Sequence, residues 1–148
     1  MKFKILTKKK NTITMNEHQL EVRVRYSETD QMGVVYHGNY LPYFEIGRVE
    51  WLRNQGISYK ELEESGVALP IVNIIINYKK PARYDDLLKV ITKLKFSSSV
   101  KIGFECRIED EKGELLTTAD FILVFVSIKT GRPITPPEQI LTILEAHS

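Results

Sequence analysis

The 148-residue sequence predicts an α+β fold in which an antiparallel β-sheet wraps around one long central α-helix. Three observations predict it. Tyr40, Tyr43, Phe44, Gly47 and Trp51 recur at the spacing of a single helical stripe. Four β-prone segments follow in succession, separated by turn-forming clusters. Apolar residues make up 43% and charged residues 27% of the chain, the balance of a domain that buries a core.

The first strand is expected from His18 to Ser27, where Leu20, Val22, Val24 and Tyr26 alternate with Glu21, Arg23 and Arg25. The long helix runs from Asn39 to Gln55, with Glu45, Arg48 and Arg53 off its aromatic stripe. Pro42 fits its first turn, where a backbone N–H has no intrahelical acceptor to lose, and Gly56 supplies a left-handed stop. Ser58 with Glu61 forms a capping-box pattern for a short second helix closed by Gly66. Strands are expected over Leu69–Tyr78, Leu88–Phe96, Val100–Ile108 and Leu115–Ile128, all rich in Ile, Val, Phe and Thr. In the second of these, Leu88, Val90, Thr92, Leu94 and Phe96 form the apolar face. FILVFVSI is apolar on both faces, as a central strand requires. PPEQILTILEAHS closes the chain as a short amphipathic helix.

The formal charge of +2 is unevenly placed. Lys2, Lys4, Lys8, Lys9 and Lys10 precede any acid, and the remainder carries 16 basic against 19 acidic residues. A mildly acidic body lacks the positive field that nucleic-acid binding needs. The segment 1–14 reads as a flexible extension and 15–148 as a single domain, with Met15 an alternative start. The apolar run of MKFKILTKKKNTIT is too short for a signal peptide or an integral membrane segment. Cys106 is the lone cysteine, which excludes an internal disulfide and makes a reducing cytoplasm the expected location. It alternates with Ile102, Phe104 and Ile108 and is expected to be a buried structural thiol.

The stretch ETDQMGVVYHGNYLPYF, Glu28 to Phe44, crowds an acid, a glycine, two valines, a histidine and an asparagine directly before the aromatic helix. Turns, strands and helix interiors each select against some of these, so the crowding marks a site.

The motif DxxGVVYHGNYLPYFE, Asp30 to Glu45, with the upstream RYSETD, resembles the hotdog-fold acyl-CoA thioesterases of the 4-hydroxybenzoyl-CoA thioesterase type. Their bacterial branch associated with the Tol-Pal envelope system is the nearest pattern. The resemblance continues through EWLRNQGIS, INYKKPARYDDLLKV and KTGRPITPP, from about Leu20 to Leu144. It implies a hotdog fold with the long helix as the filling. It also implies hydrolysis of acyl-CoA to a carboxylic acid and coenzyme A, with Asp30 attacking the thioester or activating water. A carboxylate of ordinary pKa, ~3.9, is ionised at neutral pH and suits either role, although an Asx-turn residue after a strand is the bland alternative. His37 is implied as the oxyanion site through a backbone N–H at the helix start, with its imidazole as the alternative.

Gly33, Val34, Val35, Tyr36 and Asn39 are the expected substrate-binding neighbours, with Glu45 a secondary carboxylate. Gly33 frees the loop backbone, the two valines wall an acyl channel or join the core, and Asn39 caps the helix or bonds the loop. Lys79, Lys80, Arg83, Lys101 and Arg132 are candidates for holding coenzyme A phosphates. No cofactor and no metal are implied. LPIVNIIINY, uncharged and β-prone, predicts pairing with a second copy, giving a homodimer or homotetramer. The rival class is a non-catalytic acyl-CoA or acyl-carrier binding protein of the same fold. A hotdog dehydratase would pair a histidine base with a helix acid in a different local pattern.

Overall fold

The computed structural model describes residues 17–147; the expected extension over 1–14 lies outside them. Strand β1 (Glu17–Arg23) leads through two 3-10 turns, Tyr26–Glu28 and His37–Asn39, into helix α1 (Tyr40–Asn54) and the short helix α2 (Tyr59–Glu64). Then come β2 (Val67–Ala68), β3 (Ile71–Tyr78), β4 (Leu87–Ser98), β5 (Lys101–Glu109), β6 (Leu115–Val124), β7 (Val126–Ser127) and α3 (Glu138–Ala146). Five strands form one antiparallel sheet in the order β1-β4-β5-β6-β3, and β2 pairs with β7 beside it.

The aromatic stripe places α1 as expected. Tyr40, Tyr43, Phe44, Gly47 and Trp51 are all buried. Phe44 meets Phe121 edge-on at 5.5 Å, and Trp51 meets Phe104 at 5.1 Å. Each fully buried apolar side chain of this size stabilises the fold by about 1.5–3 kcal/mol. Gly47 fixes how closely helix and sheet approach, because a Cβ there would lie 2.5 Å from Thr92 Oγ1 and 2.9 Å from Val90 Cγ1. Any larger residue would push α1 off β4. The Ser58 hydroxyl accepts the Glu61 N–H at 3.1 Å and caps α2, while Gly56 and Gly66 follow the two helices at φ +100° and +90°.

Four expectations are corrected. Strand β1 ends at Arg23, because Arg25 and Glu28 close a 3-10 turn on each other, and Tyr26 is 78% exposed instead of lining the buried face. Phe96 leaves the core because a bulge between Leu94 and Phe96 shifts the pleat. Its ring lies against Gly103 on the neighbouring strand, close enough that a Cβ there would overlap it. The strand expected to run to Ile128 breaks at Phe125, which is buried, and resumes as β7 against β2. Arg48, assigned to the wet side of α1, is only 5% exposed, with its guanidinium 4.3 Å over the Phe121 ring.

The segment LPIVNIIINY gives β3 from Ile71, at the edge of the sheet. Val72 and Ile75 are each 56% exposed, and Ile71, Ile74 and Tyr78 are exposed with them. The edge opposite β6 carries no strand among the described residues.

Candidate active site

The motif loop is a tight hairpin. Thr29 bridges Val35, the Asp30 N–H donates to the Val34 carbonyl at 2.9 Å, and the Gly33 N–H donates to the Asp30 carbonyl at 2.9 Å. Asp30 opens the turn and Gly33 closes it at φ +76°, a left-handed conformation that glycine adopts without penalty. Asp30 Oδ1 accepts the Met32 N–H at 2.9 Å, the Asx-turn contact. Oδ2 has no hydrogen-bond partner among the described residues, so the same carboxylate anchors the turn with one oxygen and offers the other.

The returning arm is held from below. The Val35 N–H donates to the carbonyl of fully buried Ala82 at 2.8 Å, and the Ala82 N–H donates to the Tyr40 hydroxyl at 3.3 Å. Val34 bridges Arg83. Val35 is buried, and Val34 is half-buried at the surface of the loop. His37 begins the 3-10 turn that runs into α1, so its N–H has no intrahelical acceptor. The His37 carbonyl accepts the Tyr78 hydroxyl at 3.0 Å, and its ring lies 4.3 Å from that of exposed Tyr36. Asn39 does not cap α1. Its side-chain amide donates to the Glu28 carbonyl at 2.8 Å and so bonds the loop.

Asp30, Val34, Val35 and His37 line one open groove of about 350 Å³, together with Met32, Tyr40, Tyr78, Lys79, Lys80 and Pro81. Lys80 is paired with Glu114. Arg83 reaches the loop, its guanidinium lying near Gly33. Lys101 starts β5 opposite Val124, and Arg132 follows β7, so both lie at the far end of the sheet. Glu45 lines a separate groove of about 440 Å³ with Arg48, Tyr59 and Ile71, near the start of β3. Among the described residues no cluster of His, Cys, Asp or Glu could hold a metal ion, and no helix is long and apolar enough to cross a membrane.

Glu28, not among the residues expected from the motif, is central to the loop. Its Oε1 accepts the Arg25 N–H at 2.7 Å and the Tyr43 hydroxyl at 2.8 Å, while Oε2 meets the Arg25 guanidinium at 3.0 Å. Its carbonyl accepts the Tyr36 N–H at 2.9 Å and Asn39. Burial alone would raise the Glu28 carboxyl, but hydrogen bonds from the Arg25 backbone, Tyr43 and the Arg25 side chain outweigh it and hold it below the ordinary glutamate value. Burial first, and then Glu28, push the Tyr43 hydroxyl well above the ordinary tyrosine range. The spacing Arg25-x-x-Glu28 parallels Ser58-x-x-Glu61 and was the available signal. Cys106 is buried as expected, and burial pushes its thiol up to about 12.

A family model described as the thioesterase-like superfamily matches residues 24–144. The chain belongs to this superfamily. YneP of Bacillus subtilis is 38% identical over 120 residues, covering 81% of this chain and 87% of that protein. The acyl-CoA thioester hydrolase YbgC of Escherichia coli O157:H7 is 33% identical over 120 residues, covering 81% and 90%. The crystal structure of DHNA-CoA thioesterase from Staphylococcus aureus superposes with a TM-score of 0.78 at 37% identity, covering 80% of each chain. This thioesterase thus has the hotdog architecture expected of it, a five-stranded antiparallel sheet packed on one long helix.

Proposed function

We propose that this thioesterase hydrolyses acyl-CoA thioesters to a carboxylic acid and free coenzyme A, with Asp30 as nucleophile or general base. The observation that carries the reading is the shared groove, in which Asp30 and the turn opened by His37 face the same open space. Either the carboxylate adds to the thioester carbonyl carbon, giving an anhydride that water then cleaves, or it takes a proton from water that attacks the same carbon. In both routes the carbonyl electron pair moves onto oxygen, where the His37 N–H donates to it. The thiolate of coenzyme A then leaves and is protonated. Lys79, Lys80 and Arg83 supply positive charge at the groove for the phosphates, and neither metal nor cofactor enters. Within the superfamily, the Asp30–Glu45 motif favours the branch associated with the Tol-Pal system.

The working unit is proposed to be a dimer joined through β3. Exposure of Val72, Ile74 and Ile75 along an uncovered edge supports it. Antiparallel pairing about a two-fold axis sets the Tyr78 end of one protomer beside the Ile71 end of its partner. One protomer's Asp30 groove then adjoins its partner's Glu45 groove, which brings the second carboxylate of the motif toward the site.

The test is a panel of acyl-CoA substrates with free thiol detected, before and after exhaustive chelation. Thiol release that survives chelation is expected. Tight binding of acyl-CoA with no thiol released would identify a binding protein instead, and activity restored by one divalent metal would overturn the mechanism.

A further inference from the structure

We infer that Glu28 is a positioning residue, which sets the spacing between the Asp30 carboxylate and the His37 amide. The inference rests on the Asp30 reading above and adds a residue that touches neither substrate nor reacting atoms.

Glu28 stands at the point where four pieces of chain meet. Its carboxylate takes three donors from Arg25 at the end of the first arm and one from Tyr43, which is 1% exposed in the first turns of α1. Its carbonyl takes the N–H of Tyr36, on the returning arm, and the side chain of Asn39, in the 3-10 turn. Asp30 follows Glu28 by two residues, and His37 follows Tyr36 by one. Both groups proposed to act on the thioester are therefore cantilevered from the same clamp.

The clamp is rigid on one side and bare on the other. Tyr43 is fixed by the core, with its ring 5.9 Å edge-on to Tyr40, whose hydroxyl in turn receives Ala82 under the loop. Beyond the clamp, Gln31, Met32 and Gly33 are exposed, with Met32 80% exposed, so packing contributes little to holding the turn. Hydrogen bonds at its base must do so. Release of the Glu28 carboxylate would remove the ties to Arg25 and to Tyr43 of α1 and leave the backbone bonds of the hairpin and Asn39 as its anchors; displacements near 1 Å cost roughly 10²-fold in rate.

The experiment is a double-mutant cycle on the purified full chain, with folding followed by circular dichroism. Glu28→Ala should lower kcat roughly 10- to 100-fold with KM changed by less than about threefold, and Glu28→Gln, which keeps the Oε1 acceptor, should recover most of the loss. In an Asp30→Asn background the same Glu28→Ala change should alter the residual rate by less than about twofold, since the group it positions is already gone. Should Glu28→Ala fail to fold, Tyr43→Phe removes one hydrogen bond at constant volume and enters the same cycle with the same expectation. Equal fold losses in both backgrounds would mean general damage and would overturn the inference. Glu28→Ala at wild-type rate beside a crippled Asp30→Asn overturns the inference alone. Asp30→Asn at wild-type rate overturns the Asp30 reading itself, and the inference with it.

Discussion

The Tyr43 hydroxyl donates to Glu28 Oε1 at 2.8 Å and so ties the interior of the central helix to the loop that carries Asp30. The carboxyl is held below its ordinary value of 4.5, so the bond's contribution is complete above that pH. It is lost as pH falls through the lower folded value. The hydroxyl is raised above its ordinary value of 10.0, so from the other side the contribution is complete below pH 10 and fades in stronger alkali. Tyr43→Phe should therefore flatten both flanks of the melting temperature against pH. Parallel profiles for wild type and variant would show that the pair contributes nothing.

Asp30→Asn should lower kcat by roughly 10² to 10⁴ while the circular dichroism spectrum stays unchanged. Asparagine keeps the Oδ1 acceptor for the Met32 N–H, so the turn survives and only the charge is lost. Near wild-type kcat would move the search to Glu45.

His37→Pro should cost more than His37→Ala, about 10²-fold against less than about tenfold, because only proline deletes the N–H. Tyr36 at φ −60°, ψ 134° already has the extended conformation that a residue before proline needs, so the variant should fold. Equal, severe losses with intact folding would assign the role to the imidazole.

Ile75→Lys, on the exposed edge strand, should give a folded monomer that has lost activity although Asp30 is untouched. Sedimentation equilibrium at micromolar concentration checks it. A wild-type species of 17.1 kDa that hydrolyses acyl-CoA at full rate would refute the shared-site dimer.

Gly103→Ala should destabilise by about 1–3 kcal/mol, since the new methyl would overlap the Phe96 ring. Adding Phe96→Leu should recover much of that loss in a urea melt. No recovery would mean that the strand pair, and not the ring, resists the methyl.

The central helix was legible because Tyr40, Tyr43, Phe44, Gly47 and Trp51 obey one periodicity and all are buried. The edge strand was legible from its lack of charge. Arg48 was not, because its charge argues for solvent while its planar head lies over Phe121, whose aromatic face substitutes for water, and meets the Tyr59 hydroxyl. Nor was Phe96, because a single bulged residue reverses every later side chain and leaves no mark on composition. In the site, Asp30, Gly33 and His37 stood out by type and spacing. Glu28 did not, since its importance lies in which four segments it joins, and three of those contacts depend on how the chain returns to it.

The bond from the Tyr78 hydroxyl to the His37 carbonyl spans 41 positions of sequence and joins the last residue of the uncovered edge strand to the turn that opens the groove. Whatever stills that strand also stills the turn. In the proposed dimer, dilution would release the strand end before it unfolds anything, so specific activity would fall with protein concentration while the far-ultraviolet spectrum held constant. The cell's stock of this chain, and not only its supply of substrate, would then set the turnover per molecule.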